Sequence, residues 1–118
     1  MILHITSRTE WHTAQQRGDY RAPSLETEGF IHSSTAKQIL HVANAFYRGK
    51  KDLVLLVIDE TLVQPEVKWE APAGAPAKGI SPDDEFPHIY GPLNLEAVVQ
   101  VTDFLPEEDG SFQLPNLS

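Results

Sequence analysis

The chain contains no cysteine, which excludes disulfide staples, thiolate zinc sites and a cysteine nucleophile. Basic residues are scarce: nine Lys and Arg against seventeen Asp and Glu give a formal net charge of −8. Non-specific attraction to a nucleic-acid backbone needs clustered cations, so that partner class is not expected. Long apolar runs are missing as well. The longest, residues 53–58, is far too short to cross a bilayer, and the first residues offer neither a basic leader nor an apolar core of signal-peptide length. These absences lead to the expectation of a cytoplasmic protein without a membrane partner. Glycine phosphate loops are absent too: neither GxGxxG nor GxxxxGKS occurs, which removes Rossmann and P-loop nucleotide binding.

What is present suits one globular unit. A length of 118 residues with 41% hydrophobic side chains predicts a single domain over 1–118 with one sizeable core, residues 106–118 forming an extended tail with a turn at Asp109 and Gly110. Charge is distributed unevenly: residues 1–59 carry seven bases and six acids, residues 60–118 two bases and eleven acids. An anionic ligand is therefore expected against the first half, where Arg8, Arg17 and Arg21 cluster.

Periodicity and punctuation place the elements. Residues 2–6 read as a strand. Ser7 with Glu10 forms a capping box and Gly18 a stop, so 8–17 is predicted helical with Trp11 and Ala14 inward. Residues 20–22 suit a brief strand, 24–28 a turn and 29–33 another strand. Thr35 with Gln38 is a second capping box, after which Ile39, Val42, Ala43 and Phe46 recur at helical spacing until Gly49. The apolar run 53–58 suits a central strand covered on both faces. Residues 67–70 read as a half-exposed strand. Residues 71–85, with three prolines, two glycines and three consecutive acids, form a long loop suited to a lid. Strands follow at 86–90 and 97–105, with a turn at GPLNL between them. The order β, α, β, α, then mostly β predicts an α+β domain, two helices packed on a mostly antiparallel curved sheet.

Three of the five histidines sit inside strand-like blocks, His4 in ILHIT, His32 in GFIHSS and His88 in FPHIYG. Alternation puts His4 on the face of Ile2 and Thr6, His32 with Phe30 and Ser34, and His88 with Tyr90. Side by side, such strands would line one concave surface with imidazoles, hydroxyls and a phenol. Three imidazoles would suffice for a zinc site, but none of the pairs has the close spacing of HExxH, so no metal ligands are assigned. General acid and base work on a phosphate or sugar is the alternative chemistry, with His4 and His32 as the pair. A Ser33 or Ser34 nucleophile lacks the GxSxG turn.

The blocks LHIT (3–6), SLETEGFIHSS (24–34), VANAFY (42–47), LVLLVID (53–59), WE (69–70) and FPHIYGPLNL (86–95) resemble domain-of-unknown-function family 952 over nearly the whole chain. The resemblance implies a fold similar to that of ADP-ribosyltransferases, a curved, split β-structure with flanking helices and a cleft that holds NAD. It further implies that His4 contacts the adenosine-side ribose, and that Ser33, Ser34 or Tyr47 provides a hydroxyl or ring near nicotinamide. Tyr90 would serve as a stacking ring, and Glu70 or Glu85 as the carboxylate that steadies positive charge on the ribose. Arg21 joins the candidate nucleotide contacts and His32 and His88 the catalytic ones. The expectation is a histidine-lined cleft that binds or processes NAD or a related nucleotide, with no cofactor required. A non-catalytic small-molecule or interaction domain and a metal-dependent hydrolase are the alternatives.

Overall fold

The computed structural model describes residues 1–73 and 77–117. Its organising element is the apolar run, which forms β4 (Leu53–Ile58) with every residue buried. Strands β1 (Ile2–Ser7) and β8 (Val98–Asp103) pair antiparallel on either side of it, His4 opposite Leu56 and Val101 opposite the same residue. Because successive side chains leave a strand on opposite faces, β4 feeds two apolar clusters. Val54, Leu56 and Ile58 pack with Ile2, Tyr20, Ile31 and Ile89, while Leu53, Leu55 and Val57 pack with Leu3, Ile5, Ile39 and Phe104.

Helix α1 (Arg8–Arg17) starts and stops where its sequence signals fall: Ser7 Oγ accepts the Glu10 N–H at 3.0 Å, and Gly18, at φ 101°, returns its own N–H to the Ala14 carbonyl. A left-handed residue costs a glycine little, which is why the stop is reliable. Helix α3 (Ile39–Phe46) begins later than its capping box suggests. Thr35 N–H does donate to Gln38 Oε1 at 2.9 Å, but the Thr35 carbonyl takes both the Gln38 and Ile39 N–H groups, giving a turn before the helix. Ile39 and Ala43 are buried, whereas Phe46, expected inward, is 61% exposed. The last turn of α3 overhangs a cavity instead of the core. A third helix, α2 (Ser24–Thr27), stands where the sequence suggested a turn, so the expected pair of helices becomes three among the described residues.

The expected curved, split and mostly antiparallel β-structure takes the form, among the described residues, of three antiparallel sheets. Beside β1-β4-β8, a second sheet pairs β2 (Asp19–Tyr20) with β7 (Leu93–Asn94), and a third has the order β3 (Ile31–His32), β6 (Phe86–Tyr90), β5 (Glu66–Glu70). The strands expected at 20–22 and 29–33 are thus two-residue pairings, and the supposed turn at GPLNL contains β7. Leu3 and Ser34 exchange both backbone hydrogen bonds at 2.8 Å, tying the first sheet to the third. The whole is an α+β arrangement with few helices.

The segment after β8 is not a free tail. Phe112 is buried, stacks on Phe104 with ring centres 4.7 Å apart and donates its N–H to Asn44 Oδ1 on α3 at 2.7 Å. The turn at Asp109 and Gly110 forms as expected, Gly110 N–H meeting the Glu107 carbonyl at 2.9 Å. Of the long loop 71–85, residues 74–76 lie outside the described residues. Among the described residues no helix is long and apolar enough to cross a membrane.

Candidate functional site

Five polar residues are buried among the described ones, His4, Thr6, Ser33, Ser34 and His88, and all five line one cavity of about 590 Å³. His32 lines it as well, so the three strand histidines do converge. Their surroundings differ.

His4 is buried. Its Nδ1 lies 2.5 Å from the His32 carbonyl, which can only accept, so Nδ1 carries the proton. Burial lowers the imidazole to about 4, which leaves it neutral at physiological pH with Nε2 as an acceptor. The Tyr20 hydroxyl stands 2.7 Å from that nitrogen and 2.9 Å from Thr6 Oγ1. A phenol has a single proton, and burial pushes the Tyr20 hydroxyl's pKa upward, so it stays protonated. Tyr20 therefore donates to His4, and Thr6 donates to Tyr20. Both nitrogens of His4 are committed to protein groups. The acid–base pair expected of His4 and His32 is not formed, because His4 meets His32 through its backbone carbonyl alone.

His88 is arranged differently. Its Nδ1–H donates to Glu70 Oε1 at 2.8 Å, and the Tyr90 hydroxyl donates to the same oxygen. These donors, Tyr90 first and His88 second, hold the Glu70 carboxyl below the usual carboxylate range. Phe30 stacks on the His88 ring at 4.1 Å between centres, 21° from parallel. With Nδ1 engaged by a carboxylate, Nε2 is the nitrogen that His88 has left to offer the cavity. His32, exposed, faces His88 with ring centres 5.7 Å apart and pairs through Nε2 with Glu28 at 2.8 Å. Ser33 Oγ is buried with no hydrogen-bond partner among the described residues.

The other expected residues divide. Ser34 and Tyr47 line the cavity; Glu70, Glu85, Tyr90 and Arg21 do not. Glu70 and Tyr90 reach it only through His88. Glu85 contributes its backbone carbonyl to Gln38 Nε2 at 2.8 Å. Arg21 is turned to Asp19 at 3.2 Å, Arg17 binds the same carboxylate at 2.8 Å, and Arg8 pairs with Asp103 at 2.8 Å. With Arg48 near Asp109 at 3.9 Å, all four arginines of the first half are thereby paired with aspartates, and Lys50 is the one Lys or Arg among the described lining residues, beside Glu10 and Asp52. Among the described residues no three His, Asp or Glu side chains are grouped to hold a metal ion. Sequence reasoning missed Tyr20, whose place beside His4 depends on the β2–β7 pairing; Thr6 was visible through its shared face with His4.

The family model described as "Protein of unknown function (DUF952)" matches residues 5–101. The chain belongs to this family. Protein CC0527 from Caulobacter crescentus is similar to it at 33% identity; a crystal structure of CC0527 superimposes with a TM-score of 0.81 over 95% of this chain and 92% of that one. The solution NMR structure of CC0527 gives 0.76 over 95% and 90%. No curated protein matches the chain. The α+β architecture described above is therefore shared with the solved CC0527.

Proposed function

We propose that the cavity binds NAD or a related nucleotide, in a fold of the ADP-ribosyltransferase kind. The observation that carries this reading is the gathering of every buried polar residue among the described ones onto one cavity wall. A core that sought only stability would not collect a chain of hydrogen-bonded polar groups and an unsatisfied hydroxyl at one place. Within this reading His4 is a positioning residue. It fixes the Tyr20 hydroxyl and the backbone at His32, and direct ligand contact passes to Ser33, Tyr47 and His88.

Titration of the labelled protein with NAD, ADP-ribose and nicotinamide, followed by NMR, tests the reading. Shifts centred on His4, Ser33 and His88 are expected; signals that stay in place with all three compounds would sink it. A second reading, a binding module without catalysis, is favoured by the position of Glu70, which faces His88 instead of the cavity. Release of nicotinamide on incubation with NAD separates the two.

A further inference from the structure

The nucleotide reading leaves open which part of the ligand the cavity holds, and its charges and hydrogen-bonding groups bear on that choice. Cations are in short supply. Lys50 is accompanied by Glu10 and Asp52 along the lining, and the four arginines of the first half are each paired with an aspartate. A phosphate entering such a space would lose its hydration without meeting the paired guanidinium or clustered lysine groups that compensate it. Uncharged polar contacts, by contrast, are ready. Glu70 accepts the Nδ1 proton of His88, so that proton sits on Nδ1 in either ionisation state, and Nε2 of the neutral ring is an acceptor. The Tyr90 hydroxyl on the same Glu70 oxygen and the Phe30 ring stacked on His88 fix this geometry from two further sides. Ser33 Oγ, buried and without a partner among the described residues, can both donate and accept.

We infer that the cavity is built for the uncharged, hydroxyl-bearing part of a nucleoside, with a sugar hydroxyl donating to His88 Nε2 and a second polar group meeting Ser33 Oγ, while any phosphate stays outside. This rests on the nucleotide reading and narrows it. Glu70 and Tyr90 are positioning residues that keep Nε2 of His88 an acceptor.

The experiment compares adenosine, uridine, NAD and inorganic phosphate by NMR titration at low and high salt. At least one nucleoside is expected to bind within about tenfold of NAD, without salt dependence, and phosphate alone is expected to leave the cavity signals unmoved. NAD binding more than about tenfold tighter than both nucleosides, with an affinity that falls as salt rises, would overturn the inference and leave the nucleotide reading standing. If neither nucleoside nor NAD binds, the inference falls, and the nucleotide reading falls with it once ADP-ribose and nicotinamide also leave the signals in place. Nitrogen NMR of the His88 ring gives a readout independent of any variant. Nε2 must be the unprotonated nitrogen of the neutral ring and must shift on adding the nucleoside; the opposite tautomer would overturn the assignment. Ser33→Ala and His88→Gln are each expected to weaken nucleoside binding by about tenfold, the loss of one buried hydrogen bond. An unchanged affinity in a folded Ser33→Ala protein would remove Ser33 from the site.

Discussion

His32 and His88 are register partners across the β3–β6 pair, their rings 5.7 Å apart, and each is backed by a glutamate, Glu28 for the first and Glu70 for the second. The two differ in burial: His88 is enclosed and stacked on Phe30, while His32 stands in solvent. A burial difference of this kind separates a hydrogen-bonding group shielded from water from one for which water competes.

Tyr90→Phe tests how Glu70 is held. The Tyr90 hydroxyl is the main cause of the lowered Glu70 carboxyl, ahead of His88. In the variant the carboxyl should titrate closer to the ordinary carboxylate range, read from its carbon chemical shift against pH. No movement would give the leading part to His88.

Ser33→Ala should stabilise the fold while weakening ligand. Ser33 Oγ is buried without a partner among the described residues, and a desolvated hydroxyl with nothing to bond costs free energy that a methyl does not. An increase of about 1 kcal/mol in urea denaturation is expected. A loss of that size would mean that the hydroxyl is satisfied in solution.

His4 sets a pH dependence with a definite sign. Its imidazole falls from an ordinary 6.5 to about 4 in the folded chain, so folding favours the neutral ring. The resulting stability is complete above the unfolded value and drains away as pH falls from 6.5 to about 4, by about 3 kcal/mol in all. Denaturation measured across this window should show the slope in the wild type and lose it in His4→Gln. Equal slopes would place the acid sensitivity on other groups.

Phe46 and Leu55 make a contrast that sequence hydrophobicity does not. Leu55 is fully buried and Phe46 is 61% exposed. Leu55→Ala should cost about 2–5 kcal/mol, and Phe46→Ser less than about 0.5 kcal/mol, in the same denaturation assay. Phe46→Ser should nevertheless weaken ligand, since the ring lines the cavity.

These residues also show what the sequence could and could not disclose. The run 53–58 announced a strand covered on both faces, and β4 is that strand, because an uninterrupted apolar segment leaves no face for water. Ser7 and Gly18 bounded α1 because caps are local chemistry. Phe46 lies on the same stripe of α3 as Ile39 and Ala43 but beyond the core's edge, and periodicity carries no information on where a core ends. The Tyr20–His4 contact spans sixteen residues and is created by a two-residue pairing too short to leave a pattern. Pairing of the arginines with Asp19 and Asp103 likewise depends on neighbours that composition does not reveal.

The anchoring of Phe112 has a mechanical consequence. Its ring is wedged under β4 beside Phe104, its N–H grips Asn44 on α3, and the Gly110 carbonyl holds Gly49 just past that helix at 3.0 Å. Helix α3 and the turn after it carry Phe46, Tyr47 and Lys50 to the cavity mouth. The last stretch of chain is therefore a strut for that rim, and trimming it, or pulling on it with a fused partner, would deform the entrance from behind without touching a single lining residue.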